Sequence, residues 1–472
     1  MLRTAAGGSG NRGGGRSAYP LEPSQSAPPA DFNLRPVDSP QPFARQGQAS
    51  ANVKITSLLT NLRTVCPGSL KLMMNTSRMA QEFTASELSA SDICPNFQAG
   101  WQQLSRDALV PNPFLEPAFV LTQMQHLHEG QGQSLWTVRN QAGRPVLLTA
   151  ARPVAASSQI LFPHLHDGTS TYKFLGGLLV DRRCPRAAIL TFLEFLKTTR
   201  FRHGMVLNSV EIDSPLSAEL YTSAALSGYQ VQLQNPWSRA SLNLLEIDRS
   251  RLFDFCLSKN RRKSLRRAHS KLQQRGTVQF RVVQSSHEAD AAAHRFLDLE
   301  RRGWKGASGT AMSCSPEHRN FFAELVNNLS ATGKVLFGEL MVGDKVVAST
   351  CNLLAGQTLF AFKIGWDPDF QAGSPGAWAE LELANYISRE RPDITTLNSC
   401  STAGSYLERI WPHRMAMGNV ILSQSHRAVL YSGLRKTLRT AKRLIWPVTG
   451  ERVPPRSLSV SDLVNSHSLP PG

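Results

Sequence analysis

The stretch KVLFGELMVGDKVVASTCNLLAGQTLFAFKIGWDPDFQAGSPGAW, residues 334–378, predicts three strands, a loop and the start of a helix. The β-rich runs are separated by Gly343-Asp344 and by Gly356-Gln357, pairs that favour tight turns between antiparallel strands. After the loop, Pro375 fits the first turn of a helix, because that position needs no N–H donor. The stretch therefore indicates an antiparallel meander that continues through a loop into a helix.

Helical and strand-like runs flank the meander on both sides. Upstream, apolar residues recur at helical spacing in three runs, at 259–275, 285–304 and 315–329. Downstream lie a helix from about residue 375, a strand at 393–400, a helix at 404–411 and a final strand at 416–423. The order of helices, three antiparallel strands, helix, strand, helix and strand predicts an α/β unit.

Much the same order of elements occurs earlier in the chain. Strand-like runs at 134–140, 145–154 and 172–180 precede a helix at 185–199, a strand at 204–212, a helix at 214–226 and strands at 229–235 and 240–247. We therefore expect an α/β protein of two lobes, each a mixed sheet flanked by helices. The predicted divisions are a disordered or weakly structured segment at 1–95, lobes at 96–249 and 250–425, and a basic amphipathic tail at 426–472.

The composition narrows the class of protein. The 472 residues are 41% hydrophobic, which is enough to bury sizeable cores, and no uninterrupted apolar run is long enough to span a bilayer. The seven cysteines are scattered and form no C-x-x-C pair, which favours a reducing, cytoplasmic location over a disulfide framework or a zinc site. The first residues lack the apolar core of a secretory signal, and the sequence from Met79 reads like an ordinary protein start.

The formal net charge of +17 is concentrated in a few runs. Eight basic residues and no acidic residue lie between Lys259 and Arg275, a pattern typical of either a polyanion-binding surface or a solvated helix face. Because no aromatic residues interrupt this run, we expect no sequence-specific recognition of nucleic acid. A second basic run, at 435–446, is a candidate for peripheral contact with an anionic membrane.

The helix start after the meander is the most suggestive local feature. Gly373, Ser374 and Gly376 surround Pro375 at the point where a helix exposes unpaired N–H groups and the positive end of its dipole. Glycines permit close backbone approach, so a diphosphate would be able to bind there. The same residues also begin many helices that bind no ligand, and the sequence leaves both interpretations open.

Four segments together resemble a known family. They are RRKSLRRAHSKLQQRG, FLDLERRGWKGASGTAM and FKIGWDPDFQAGSPG in the second lobe, and VPNPFLEPAFV in the first. With the order of elements, they resemble the CelD-like acetyltransferases of the GNAT superfamily, which are related to the two-lobed FemAB-like transferases. The resemblance implies an acyl-CoA co-substrate, an amine-bearing acceptor and a place in polysaccharide or cell-envelope biosynthesis. The run Gln371-Ala-Gly373-Ser-Pro-Gly376 departs in spacing from the usual Gln/Arg-x-x-Gly-x-Gly/Ala signature.

The resemblance also implies positions for the co-substrate and the acceptor. The helix after the fourth strand is expected to hold the diphosphate through the backbone of Gly373, Ser374, Gly376 and Ala377. The strand backbone at Phe362, Lys363 and Ile364 is expected to pair with the pantetheine amides. Trp304 and Lys305, in a probable active-site loop, are the candidates for acceptor binding.

Candidates for proton transfer come from three elements. Tyr406 corresponds to the tyrosine that many such enzymes use as a general acid, although it also suits an aromatic anchor for a short helix. Glu339, inside a strand, is the candidate base if it faces the cleft, and Glu380 and Glu382 are alternatives on the co-substrate helix. Relatives have an acidic residue where this chain has Asn398.

No cluster of the twelve histidines has metal-ligand spacing, so no metal is expected. The runner-up hypothesis is a non-catalytic module that binds a polyanion through the basic 259–275 helix.

Overall fold

The structure is a computed structural model, and it describes residues 82–157, 159–168 and 170–424, with the side chain of Trp304 excluded. Several parts of the chain lie outside the described residues. They are the predicted tail at 426–472 with its basic run, Met79, and most of the predicted N-terminal segment.

The strands of the described residues are numbered in chain order. They are β1 (Phe83–Leu88), β2 (Ser134–Asn140), β3 (Pro145–Val154), β4 (His164–His166), β5 (Leu179–Val180), β6 (Gly204–Glu211), β7 (Gln230–Asn243), β8 (Val278–Val283), β9 (Val335–Val342), β10 (Lys345–Ala355), β11 (Thr358–Trp366), β12 (Thr396–Asn398) and β13 (His413–Ser423).

The α-helices are numbered in the same way. They are α1 (Pro95–Arg106), α2 (Pro117–His126), α3 (Pro185–Thr198), α4 (Pro215–Leu226), α5 (Leu252–Cys256), α6 (Lys259–Gln273), α7 (Ser286–Arg302), α8 (Trp304–Ala307), α9 (Pro316–Ser330) and α10 (Pro375–Glu390). Short 3₁₀ turns include Pro368–Gly373, directly before α10, and Tyr406–Arg409, between β12 and β13.

The described strands form one mixed 13-stranded sheet in the order β1-β2-β3-β4-β6-β13-β7-β12-β11-β10-β9-β8, with β5 beside β3. The last strand, β13, lies between β6 and β7 and is antiparallel to both. The two predicted halves therefore share a sheet, and the C-terminal strand completes the N-terminal half. This confirms the α/β architecture of a mixed sheet flanked by helices.

The predicted meander is confirmed as β9, β10 and β11. Gly343 and Gly356, in its two turns, have φ angles of 58° and 52°, the left-handed conformation that favours glycine at these points. The helix α9 begins as its sequence indicates, with Pro316 in the first turn and the Ser315 side chain accepting a hydrogen bond from the His318 N–H. Of the predicted inner face of α10, Leu381, Ala384 and Ile387 are buried.

Four details differ from the sequence-based expectation. One long strand, β7, replaces the two strands predicted at 229–235 and 240–247, and it continues through Pro236. The run at 172–180 forms only the two-residue strand β5. The edge strand β8 was not predicted, because its alternating pattern is short and lies between two long helices. Finally, β1 pairs with β2 inside the segment expected to be weakly structured, so that the fold begins before residue 96.

The side chains of β11 pack on two layers. Phe360 and Phe362 belong to a core with α7 and α9 that also includes Phe114 from the first half of the chain. Leu359 and Ala361 pack instead against α10. The ring of Phe114 lies 6.0 Å from that of Phe360, edge to face, so the core is continuous between the two halves of the sheet. This packing fixes β11 between two helical layers.

Candidate functional site

The sheet opens between β11 and β12. These strands pair in parallel only at Thr358–Phe360 and Thr396–Asn398. After Asn398 the chain turns away, and the Ser399 N–H donates to the carbonyl of Ala240 on β7. Residues 361–366 of β11 therefore pair with β10 alone. We call the wedge between residues 361–366 and residues 398–401 the strand opening.

A β-bulge lies at the start of the strand opening. Cys351 of β10 is opposite Lys363, the next residue Asn352 is opposite Ala361, and Phe362 has no partner in the ladder. Such a bulge redirects side chains and releases backbone groups from the ladder. Here Phe362 and Lys363 both turn towards Tyr172: the two rings are 6.3 Å apart, and the Lys363 Nζ lies 4.6 Å from the tyrosine ring centroid. The three strand residues predicted to pair with pantetheine, 362–364, thus lie at the bulge.

The helix α10 starts beside the strand opening without a side-chain cap. Ser374, its N-cap residue, has the left-handed angles φ 51° and ψ 51°, which are unusual for a residue other than glycine and which often occur at functional sites. Among the described residues, no oxygen accepts a hydrogen bond from the N–H of Gly376 or of Ala377. The positive end of this 16-residue helix thus leaves two donors without a protein acceptor, although Gly376 is itself buried and Ala377 is half-buried.

The two glycines at this start allow protein side chains to approach closely. A Cβ atom at Gly373 would lie 2.2 Å from the Cδ2 of Leu272 in α6, and one at Gly376 would lie 3.2 Å from the Trp366 ring. At Gly373, therefore, it is the Leu272 side chain of the basic helix α6 that lies close to the glycine. Whether these residues also bind a diphosphate stays a prediction.

The basic helix α6 packs directly against the 3₁₀ turn that leads into α10. The Arg275 guanidinium stacks over the Phe370 ring at 3.8 Å and donates to the carbonyl of Asp369. Leu265 and Leu272 form the buried stripe that the sequence predicted. The positive field of α6 therefore adjoins the α10 N-terminus.

A buried carboxyl group lies behind the strand opening. Glu380, on α10, is 2% exposed, and burial raises its pKa to about 8. It interacts with Tyr406, whose hydroxyl pKa is raised well above its usual value by burial and by the neighbouring carboxyl group. The Oε2 of Glu380 has no hydrogen-bond partner among the described residues. Although 37% of the Tyr406 surface is exposed, its hydroxyl end is directed at Glu380.

Glu339 has a different environment. It is fully buried on β9, which β10 separates from β11. Its oxygens accept hydrogen bonds from Arg281 at 2.6 Å and from Arg295 at 2.8 Å. Glu339 therefore lies on a different strand from the strand opening, while Tyr406 lies beside Glu380. The role of Glu339 as a base stays a prediction.

Lys305 lies next to a second buried carboxylate that the sequence analysis did not single out. Its Nζ is 2.7 Å from the Oε1 of Glu300, and the other oxygen of Glu300 accepts from the Met312 N–H at 2.8 Å. Lys305 is also close enough to Lys363 to lower the pKa of that lysine. The structure thus brings together Lys305 and Lys363, predicted separately for acceptor and co-substrate.

The described residues contain neither a candidate metal-binding cluster nor a helix that could span a membrane. No group of three or more His, Cys, Asp or Glu residues among them is arranged to hold a metal ion. None of the helices in residues 82–424 is both long enough and apolar enough to cross a membrane.

Comparison with known proteins finds a family that is similar to a segment in the second half of the chain. Residues 259–397 match the family described as the acetyltransferase (GNAT) domain. This segment contains the meander and α10, including the β11 side of the strand opening, whereas residues 398–401 and Tyr406 lie beyond its end. The finer resemblance to CelD-like enzymes is not shown by this match. No protein with curated annotation matches the chain.

Solved structures similar to the chain include FemX, a protein of unknown function and a tandem GNAT protein. FemX is 10% identical, with 74% of this chain and 99% of FemX covered and a TM-score of 0.48. A protein of unknown function from Bacteroides thetaiotaomicron is 12% identical, with 70% and 98% covered and a TM-score of 0.46. A tandem GNAT protein from the clavulanic acid biosynthesis pathway is 13% identical, with 72% and 98% covered and a TM-score of 0.38. These scores are too low to support conclusions about function.

Proposed function

We propose that the chain is an acyl-CoA-dependent N-acyltransferase, which transfers an acetyl or other acyl group to an amine. The observation that carries the proposal is that the uncapped start of α10 lies beside the strand opening, with α10 and the β11 side of the opening inside the segment that matches the GNAT domain. The acceptor is proposed to be an amino sugar or another precursor of a polysaccharide or of the cell envelope. The site of action is proposed to be cytoplasmic.

The donor binds along the edge of β11. The free N–H groups of Gly376 and Ala377 hold the diphosphate, with Gly373 and Ser374 completing the turn. The backbone of residues 362–364, unpaired on the β12 side, pairs with the pantetheine amides as a further strand would. The cations of α6 draw the phosphates towards this end of the helix.

Acyl transfer then requires two proton movements. The acceptor amine attacks the thioester carbonyl, a C–N bond forms, and the C–S bond breaks to release CoA as a thiolate. Tyr406 donates a proton to the leaving thiolate, and Glu380, protonated at neutral pH because of its raised pKa, holds the tyrosine hydroxyl in place. A base must also accept a proton from the amine. Glu339 could do so only after it gave up a hydrogen bond from a guanidinium group, so we propose that another group, not yet assigned, is the base.

The proposal is tested by titrating the purified protein with acetyl-CoA in a calorimeter. We expect saturable binding in the micromolar to low millimolar range, and release of thiol when an amine is added. Absence of heat at millimolar acetyl-CoA, with a native circular dichroism spectrum, would contradict it.

A second candidate function rests on the outer face of α6. Five basic side chains of this face surround a surface depression of about 550 Å³: Lys259, Arg262, Lys263, Arg266 and Arg267. Arg262 is ion-paired with Asp254. A polyanion bound there would dissociate steeply with salt, since each phosphate contact releases counterions. Steep salt dependence together with indifference to acetyl-CoA would favour this binding module over the transferase.

A further inference from the structure

Lys363 is a half-buried cation without a hydrogen-bonding partner among the described residues. Its Nζ lies 4.6 Å from the ring centroid of Tyr172 and 5.7 Å from that of Phe174, so that two aromatic faces are its nearest recorded contacts. Burial, and then repulsion from Lys305, lower its pKa to about 8. Cation–π contacts return only part of the hydration that a buried ammonium loses.

The carboxylate nearest to Lys363 is already engaged. Glu300 is 3% exposed, and its oxygens are bound by the Lys305 Nζ at 2.7 Å and by the Met312 N–H at 2.8 Å. Lys305 and Lys363 thus lie near one carboxylate, and only Lys305 is hydrogen-bonded to it. The positive charge of Lys363 is not balanced by a carboxylate of its own. The Lys305 side chain is 24% exposed, so the cluster reaches solvent on that side.

A second, buried cation lies across the strand opening. Arg239, on β7, is 2% exposed, and it donates from Nε to the carbonyl of Ser401 at 3.0 Å and from Nη2 to that of Phe174 at 2.7 Å. Its Nη1 is buried without any hydrogen-bond partner. Phe174 connects the two cations, because its carbonyl binds Arg239 and its ring faces Lys363.

The buried Arg239 nitrogen without a partner and the half-buried Lys363 ammonium both lie next to Phe174, and together they form a site for an anion, since leaving such groups unpaired is costly. We propose that the acceptor amine carries an anionic group, a carboxylate or a phosphate, and that this group binds between Lys363 and Arg239. This inference rests on the proposed function, because the same opening holds the thioester. The anionic group takes no part in bond making; it orients the amine towards the thioester carbonyl.

The first experiment compares acceptors that differ only in the anion. The probes are β-alanine with β-alaninamide, and 2-aminoethyl phosphate with ethanolamine, each with acetyl-CoA and with CoA thiol release as the readout. We expect one anionic member to exceed its neutral partner in kcat/KM by about 10-fold or more. The pair that shows this preference distinguishes a carboxylate from a phosphate.

Substitutions of Lys363 and Arg239 then test whether these residues cause the preference for the anionic acceptor. We expect the anionic-to-neutral ratio to fall to near one in Lys363→Met and in Arg239→Met, and to persist in Lys363→Arg and in the control Lys197→Met on α3. Effects on the common acyl-transfer step cancel in the ratio. A ratio that Lys363→Met leaves unchanged, or equal rates for both members of each pair in the native protein, would overturn the proposal. Lys363→Met removes a half-buried charge, so we expect it to fold.

A binding measurement separates this proposal from the function on which it rests. After reductive ¹³C-methylation, the Lys363 resonance, assigned by its absence in Lys363→Arg, is followed while phosphate or β-alanine is added. We expect the anion to raise the pH at which Lys363 titrates, and Arg239→Met to abolish that effect. If acetyl-CoA binds but no anion moves the resonance, the anion site is wrong and the transferase stands. If an anion binds and acetyl-CoA does not, the proposed function fails.

Discussion

Glu380 of α10 lies close enough to Tyr406, in the turn after β12, for its carboxyl group and the tyrosine hydroxyl to shift each other's pKa. The raised pKa of each group keeps both protonated near neutral pH, and in the proposed reaction this pair would supply the proton to the leaving thiolate. This relationship gives separate expectations for stability and for catalysis.

We expect Glu380→Gln to stabilise the protein at neutral and mildly alkaline pH. Glu380 has a pKa of about 8 when folded and one near its ordinary 4.5 when unfolded, so between these values only the folded state holds the proton. Stability therefore falls as pH rises through this window, and the loss from this group at pH 7 is about 3 kcal/mol. Urea unfolding of both proteins from pH 5 to pH 8.5 measures it. Parallel curves would show that Glu380 is ionised in the folded state.

We expect Tyr406→Phe to lower kcat by ~100-fold without weakening acetyl-CoA binding, because it removes only the hydroxyl that protonates the thiolate. Initial rates of thiol release and calorimetry separate the two quantities. Tyr386→Phe, which removes a tyrosine hydroxyl from α10, is the matched control and should retain full activity. An unchanged kcat in Tyr406→Phe would assign Tyr406 to an anchoring role.

We expect Ala377→Pro to weaken acetyl-CoA binding by about 10-fold or more, because it removes one charge-assisted hydrogen bond to the diphosphate. Proline is tolerated in the first helical turn, so the helix itself should persist. Ala187→Pro makes the equivalent change in α3, which also begins with a proline and has an alanine at the same position. Calorimetry should show native affinity for Ala187→Pro, and equal affinity for Ala377→Pro would exclude the helix end as the diphosphate site.

We expect Gly373→Ala to destabilise the fold by about 1–3 kcal/mol, because the new methyl group would collide with Leu272. Leu272→Ala makes room for that methyl group, so the double variant should cost less than the sum of the two single changes. Denaturant unfolding of the four proteins measures the coupling. Additive changes would mean that α6 can move away from the turn.

Local sequence signals were sufficient for the elements that build the site. The alternation of β-branched and aromatic residues predicted β9, β10 and β11, and glycine turns set their antiparallel order. Ser315-Pro316 and Ser374-Pro375 marked helix starts that the structure confirms at α9 and α10. Such features depend on residues within a few positions of each other, and so a single sequence carries them.

Short or interrupted patterns were misread for a physical reason. Pro236 indicated a break in β7, but β13 pairs along both parts of this strand and holds it as one. The two-residue strand β5 and the edge strand β8 are defined by their partners rather than by their own periodicity. The insertion of β13 between β6 and β7 has no local signal at all.

By itself, the sequence determined the α/β class, the meander and a helix that begins at Pro375. Only the tertiary structure decided the partners of the charged groups: Glu380 is buried against Tyr406, Glu339 is paired with two arginines, and Arg239 keeps one buried nitrogen without a partner beside Phe174. The reason is that burial, and with it the protonation and the binding capacity of a charged side chain, depends on neighbours that come from distant parts of the chain.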